Sequence, residues 1–329
     1  MNAKVPTPDA TTALLALTKA TADAHRLDIL RVLSRESFGV LELCAIIDVP
    51  QSGMSHHLKV LATAGLVESR RQGNSIFYRR AVLPAQHPFS AVTSELFAAI
   101  DRLALPAETL ARCEAVHAER GQQASAFFSR NADKLRDNQD LIAGFEHYGD
   151  CLVELLNRQL LDRRSTVIEV GPGDSELLTH LSQAYASVLA VDNTQAMLDK
   201  SRKRAGRRQN IRFHLGELAD VATGADLIVL NMVLHHLPSP ARLFDEANDH
   251  LNPGGMLLVA DLSAHDQDWV RDVCGDQWLG FDPKELDQWA NAAGLTTGQD
   301  TYVGLRNGFQ VQIRLFHKPL PAEESAAKS

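Results

Sequence analysis

Cysteine is scarce in this sequence, and its four copies stand far apart: Cys44, Cys113, Cys151 and Cys274. No CxxC pair occurs, so no zinc ribbon is expected, and four scattered thiols make no disulfide framework. Long apolar runs are missing too. The longest, such as residues 256–260, fall far short of the ~20 residues that cross a bilayer. The N-terminus lacks the basic-then-apolar order of a signal peptide. A cytoplasmic protein with no membrane partner is therefore expected. A general excess of basic charge is absent as well, since 33 Lys and Arg face 41 Asp and Glu for a net charge of −8. The deficit is uneven. Residues 51–80 hold five basic residues against one acidic one, so positive charge gathers where a nucleic-acid contact would need it. At 329 residues, with 45% hydrophobic and 22% charged residues, the chain can build two separate globular cores.

What is present begins with a helical pattern at Leu27, Leu30 and Leu33, followed by "VLELCAII" and "VPQSG". Ser52 is expected to cap a helix over residues 52–64, ended by Gly65 in the left-handed position after it. Met54, Leu58 and Leu61 share one face of that helix and should pack inward. The opposite face carries Ser52, Ser55, His56, Lys59 and Thr63, short or cationic side chains suited to phosphates and base edges in a major groove. An extended run, a turn at Gln72-Gly73-Asn74 and a second extended run follow. They read as a β-hairpin with Arg70 and Arg71 at its tip, placed to meet a phosphate backbone.

The stretches "HRLDILRVL", "VLELC", "SGMSHHLKVLATAGLV" and "RRQGNSIFYR" resemble the ArsR/SmtB winged-helix family over about residues 12–82. The resemblance implies an N-terminal α+β winged helix-turn-helix, a homodimer, and a recognition helix at residues 52–64 inserted into half-sites of a palindromic double-stranded DNA operator. Metal-sensing members carry two thiolates and an acid in a pattern like ELCVCD. Here the pattern keeps only Cys44, with isoleucines at the other ligand positions, so Cys44 reads as a small core residue and no metal is expected. His56 and His57 point about 100° apart on a helix and are no chelating pair.

Residues 89–105 show helical apolar spacing at Phe89, Val92, Leu96, Phe97, Ile100 and Leu103, the expected partner of the same helix in a second subunit. Pro106 begins a helix, so residues 106–140 read as a stiff helical connector. From about residue 141, strands alternate with helices as in a doubly wound α/β sheet. Strand readings cover residues 166–170, 188–191, 211–214, 226–230 and 256–261, the last after a turn at Asn252-Pro253-Gly254-Gly255. A closing antiparallel hairpin spans residues 296–303 and 309–317. Residues 319–329 read as a disordered tail.

"EVGPGDSE" follows the first strand. Gly171 and Gly173 allow close backbone approach to a ligand, and a helix N-terminus follows. A dinucleotide fingerprint would place a third glycine where Glu176 stands. The acid Glu169 before the loop, Asp192 at the end of the second strand, and Gly216-Glu217 point elsewhere. With "NMVLHHLPSP" and "LNPGGMLLVADL" they resemble the class I S-adenosylmethionine (SAM) methyltransferases, nearest the ubiquinone-biosynthesis type, over residues 141–318. That resemblance implies a seven-stranded Rossmann-like α/β domain and SAM, or S-adenosylhomocysteine, as its ligand. It assigns Glu169, Gly171, Gly173 and Asn231 to the methionine portion, Asp192 to the ribose, and Asn193, Glu217 and Leu218 to the adenine. Ser175 stands where the family usually has its third glycine.

The domain reading is thus winged helix and dimerisation at 1–105, connector at 106–140, methyltransferase-like domain at 141–318, and tail at 319–329. His235 and His236 are open between catalysis at the acceptor end and packing at a helix start. Trp278 and Phe281 read as core. The expected function is a DNA-binding transcriptional regulator whose methyltransferase domain binds SAM or S-adenosylhomocysteine as a sensor and as a potential enzyme. The alternative is a working small-molecule methyltransferase with an appended regulatory winged helix. The operator, the regulated genes and the methyl acceptor stay open.

Overall fold

A computed structural model describes residues 9–72, 75–83, 86–159 and 161–321. The tip of the expected hairpin, Gly73-Asn74, and residues 322–329 of the expected tail lie outside the described residues. The chain divides into two compact units, one running to Glu119 and the other starting at Arg120. The division falls within a helix, Ala107–Asn131.

The first unit packs helices Ala10–Thr21, Ala24–Val32, Val40–Ile47, Gln51–Thr63 and Ser90–Asp101 with a three-stranded sheet. Its strands are β1 (Phe38–Gly39), β2 (Val67–Gln72) and β3 (Ser75–Arg80), in spatial order β1-β3-β2. Met54, Leu58 and Leu61 are fully buried against Leu30, Leu43 and Ile46, as their spacing predicts. The start of that helix differs from expectation. It begins at Gln51 with Pro50 as the cap, and no side chain accepts a hydrogen bond there. Proline's fixed φ, here −56°, sets the entry without Ser52. The helix ends as expected. Gly65 takes φ +70°, and its N–H and that of Leu66 donate to the carbonyls of Ala62 (3.0 Å) and Leu61 (3.0 Å), a Schellman closure.

Strands β2 and β3 form the expected antiparallel hairpin, with Arg70 opposite Phe77 and Arg71 opposite Ile76. Arg80 fastens its base: the guanidinium donates to both Asp101 oxygens (2.6 and 2.9 Å) and to the Leu30 carbonyl (2.6 Å). The helix Ser90–Asp101 uses its apolar residues within its own unit. Thr93 and Ile100 are buried and Phe89, Leu96 and Phe97 pack on the local core, while Val92 and Leu103 stay exposed. Of the expected subunit-facing stripe, Ile100 alone is buried in this unit's core; Phe89, Leu96 and Phe97 are half-buried against it.

The second unit is built on a seven-stranded sheet in the order β6-β5-β4-β7-β8-β10-β9. Its strands are β4 (Thr166–Val170), β5 (Ser187–Asp192), β6 (Ile211–Leu215), β7 (Ala225–Asn231), β8 (Leu251–Leu262), β9 (Thr296–Gly304) and β10 (Gln310–His317). Strands β4 to β8 run parallel, and β10 is antiparallel to both neighbours. Apolar runs such as Val167-Ile168 and Leu227–Leu230 are buried completely, because helices cover both faces. The Asn252–Gly255 segment is not a free turn before a strand. It lies inside β8 as an irregularity, since Ala225 pairs with Leu251 but Leu227 pairs with Met256. Gly254 at φ +78° lets the backbone fold out there. The order reverses at β4: the chain first builds outward through β5 and β6, then returns to β7 on the other side. Ligands of open α/β sheets bind in the crevice that such a reversal leaves at the carboxyl ends of the strands. Among the described residues, no helix is long and apolar enough to cross a membrane.

Candidate functional site

The eight residues expected to hold a cofactor stand at the carboxyl ends of four adjacent strands, β6-β5-β4-β7. Glu169 lies in β4, and its side chain is fully buried with neither oxygen hydrogen-bonded. Burial pushes its carboxyl up to about 8, so it holds a proton at neutral pH. Gly171 and Gly173 adopt φ +63° and +50°, the left-handed region that glycine tolerates. A Cβ on Gly171 would meet Val233 Cγ2 at 2.5 Å, whereas one on Gly173 would meet nothing closer than 4.0 Å. The first glycine is therefore required by packing. The second leaves open space for a ligand.

The loop is tied down from several sides. Gly171 N–H donates to the Val191 carbonyl (2.8 Å), and Ser201 Oγ donates to the Gly173 carbonyl (2.6 Å). Arg204 pairs with Asp174 at 2.8 Å. Ser175 is more than a small replacement for glycine. Its Oγ accepts from Leu177 N–H (3.1 Å) at the helix start and from Asn231 Nδ2 (3.2 Å) at the end of β7.

Asp192 is buried at the end of β5. Burial raises its carboxyl to about 6, against the opposing effect of the Thr194 and Gly173 backbone N–H groups. Thr194 N–H donates to its Oδ1 at 2.8 Å. Asn193 is exposed beside it, Glu217 is exposed beyond β6, and Leu218 is buried. Asn231 is buried, and its Oδ1 accepts from Tyr148 Oη at 3.0 Å. Tyr148, from the helix Phe145–Asn157, is not singled out by sequence reasoning; nothing in its local pattern distinguishes it from a core aromatic. Met232, the next residue after Asn231, holds φ +53°. A left-handed non-glycine costs about 1–2 kcal/mol, and such strain collects at functional sites.

His235 and His236 lie in a short 3₁₀ turn, Leu234–His236, and both are buried. His235 Nδ1 is 2.7 Å from Asp261 Oδ1, while Asp261 Oδ2 accepts from Leu234 N–H at 2.9 Å. Burial alone would lower the His235 pKa, but the carboxylates of Asp261 and Asp276 outweigh it and raise the imidazole to about 9. Burial drives His236 well below the ordinary histidine range. Asp276 is not singled out by sequence reasoning either. It follows Gly275, whose φ of +79° turns the chain after the helix Trp269–Cys274. Trp278 and Phe281 are buried in the core, and Trp278 Nε1 donates to the Leu237 carbonyl at 2.8 Å.

In the first unit, Ser52, Ser55, His56, Lys59 and Thr63 are all exposed on the outer face of the helix Gln51–Thr63. Arg70 and Arg71 are neighbours in β2, so they point to opposite faces of the hairpin rather than acting as one tip. Cys44 is half-buried, and burial raises its thiol pKa, as for a packing residue.

A family model described as a methyltransferase domain matches residues 122–299. One described as a helix-turn-helix domain matches residues 21–70. A trans-aconitate 2-methyltransferase of Deinococcus radiodurans is 36% identical over 104 residues, covering 30% of this chain and 39% of that protein. A ubiquinone biosynthesis O-methyltransferase of Coxiella burnetii is 24% identical over 179 residues, covering 48% of this chain and 76% of that protein. Among solved structures, human N-acetylserotonin methyltransferase in complex with SAM aligns with a TM-score of 0.45 at 15% identity, over 96% of this chain and 100% of that one.

Proposed function

Because this chain belongs to the methyltransferase-domain family and carries a helix-turn-helix domain before it, we propose that it is a DNA-binding transcriptional regulator of the ArsR/SmtB type whose second domain binds SAM or S-adenosylhomocysteine. The observation that carries the regulatory half is the outer face of the helix Gln51–Thr63. Ser52, Ser55, His56, Lys59 and Thr63 project from it while Met54, Leu58 and Leu61 anchor the other side. A helix fixed by its core and polar outward is what major-groove reading requires. Lys59 and Arg71 supply phosphate contacts, and a homodimer meets the two halves of a palindromic operator.

Ligand binding rests on the family and on the crevice. Glu169 is a buried carboxyl without a partner, suited to the ammonium group of a methionine moiety. Asp192 can accept from ribose hydroxyls, with Asn193, Glu217 and Leu218 about the adenine. Gly173 provides the open approach. SAM would bring an electrophilic methyl group, and the chain's part is to orient it, because methyl transfer depends mainly on positioning. A second reading, turnover of a small-molecule acceptor, is favoured by one observation: the buried His235–Asp261 pair, an oriented imidazole after β7.

The test is operator binding by fluorescence anisotropy, titrated with SAM and with S-adenosylhomocysteine. A ligand that prefers one state of the regulator must shift operator affinity. Binding should weaken with salt, and Lys59→Ala with Arg71→Ala should weaken it further and flatten the salt dependence. Unchanged operator affinity in that double variant would sink the assigned reading face. Asp192→Ala should abolish calorimetric binding of the adenosyl ligand, and full retention would remove Asp192 from the pocket. If both ligands bind and neither moves operator affinity, the enzyme reading takes precedence.

A further inference from the structure

His235, His236 and Asp276 converge although the sequence shows no metal-ligand spacing. Their ligand atoms all lie within 4.8 Å of one another. His235 Nε2 is 3.8 Å and His236 Nδ1 is 3.6 Å from the same oxygen, Asp276 Oδ1. These separations are too long for hydrogen bonds. Around a tetrahedral ion with bonds of about 2.0–2.1 Å, neighbouring ligand atoms stand about 3.3–3.4 Å apart. The two distances to Asp276 Oδ1 are a few tenths of an ångström wider than that, while the three ligand atoms as a set span up to 4.8 Å, so binding an ion draws the side chains together.

Two further observations point the same way. Both ring nitrogens of His236 and both carboxylate oxygens of Asp276 are buried without a hydrogen-bond partner. A buried carboxylate without hydrogen bonds is costly unless a cation compensates it; the protonated His235 imidazole, 3.8 Å away, does so in part, and a bound metal ion would take that proton's place. The nearby Arg271 attracts the Asp276 carboxylate without hydrogen-bonding to it, its Nη1 donating instead to the Gln277 carbonyl at 2.8 Å. Meanwhile Asp261 engages His235 through Nδ1 and is itself held by the Leu234 and Leu262 N–H groups. That directs Nε2 toward Asp276. A carboxylate on one imidazole nitrogen, with the other nitrogen left as a ligand, is the outer-shell arrangement of metal-bound histidines.

We propose that His235, His236 and Asp276 form a binding site for a first-row divalent transition-metal ion, with Asp261 as the positioning residue for His235. Two imidazoles and one carboxylate favour zinc, cobalt or ferrous iron over calcium and magnesium, which take oxygen ligands. Three protein ligands leave a coordination position open, as in catalytic rather than structural sites. The two histidines are adjacent in sequence, like His56 and His57, yet here their rings come within 4.0 Å and a third ligand meets them. The proposal is independent of the cofactor and DNA readings.

The test uses the tag-free full chain, stripped with chelator and titrated with Co²⁺ and Zn²⁺. One ion per chain is expected, with visible cobalt absorption of a low-coordinate site. Asp276→Asn and His236→Asn should each lose stoichiometric binding, and Asp261→Asn should weaken it about 10–100-fold. X-ray absorption on the zinc-loaded wild-type chain should show imidazole and oxygen ligands without sulfur, a readout that needs no variant to fold. Failure of the wild-type chain to bind either ion stoichiometrically, a sulfur ligand, or undiminished binding in both ligand variants would overturn the site.

Discussion

Glu169 shows how one residue can carry a pH signature through the whole domain. Its carboxyl sits at about 8 in the fold, against 4.5 for an unperturbed glutamate. The folded chain keeps a proton that the unfolded chain releases between those values. Its contribution to stability is therefore undiminished below about pH 4.5 and declines as pH rises toward about 8. Glu169→Gln removes that decline. Each pH unit between the two values is worth about 1.4 kcal/mol, so at pH 8 the variant should be more stable than the ligand-free wild type by up to a few kcal/mol. Thermal melts of both proteins at acidic and mildly alkaline pH would measure it, and parallel pH profiles would mean that Glu169 ionises within the fold. Glu169 is legible in sequence as the acid before a glycine loop, as is Asp192 at the end of the next strand. Tyr148 and Asp276 are not. They reach their partners by tertiary convergence, Tyr148 from a helix 83 residues before Asn231 and Asp276 from a loop well beyond His235 and His236, and neither neighbourhood carries a spacing that announces it.

At the scale of the element, the helix Gln51–Thr63 divides its labour between two adjacent residues. Leu58 is 1% exposed and Lys59 lies on the surface. Leu58→Ala should cost about 2–5 kcal/mol of stability through the cavity it leaves. Lys59→Ala should stay within about 0.5 kcal/mol of wild type while weakening DNA binding. Denaturant titration beside anisotropy separates the two, and a large stability loss in Lys59→Ala would contradict the assignment of faces. The 3.6-residue period makes this helix readable, and the Gly65 stop with it, because both are local rules. Its start misleads because Ser52 satisfies the same capping preference that Pro50 makes unnecessary. The Asn252–Gly255 segment misleads in a similar way. Proline and glycine signal a local turn, but β7 lies alongside and draws the segment into β8 as an irregularity. The helix Ser90–Asp101 has an apolar stripe that sequence alone cannot assign to a partner subunit or to its own core; in the fold Ile100 enters the core, Leu96 and Phe97 are half-buried against it, and Val92 stays exposed.

At the scale of the whole molecule, two units with different chemistry share one chain, and each is legible as a class because motif order and strand alternation survive without tertiary information. The strand order of the second unit is less accessible, since the final hairpin could join the sheet through either of its strands. In the structure β10 lies between β8 and β9, although it follows both in sequence. Its register with β8 runs from Val311–Leu262 to His317–Met256, and Val311, Ile313 and Leu315 are fully buried. A chain ending before Gln310 should therefore expose the β8 edge and leave β9 without its sheet neighbour. It should aggregate on expression, as measured by the soluble fraction and by size-exclusion chromatography. A soluble, monodisperse product would show that the first six strands suffice. The same arrangement orders events on the ribosome. While the polypeptide is emerging, β8 waits with an open hydrogen-bonding edge through the synthesis of nearly fifty further residues, so the nascent domain depends on its last strand to close the site of misassembly that its own topology creates.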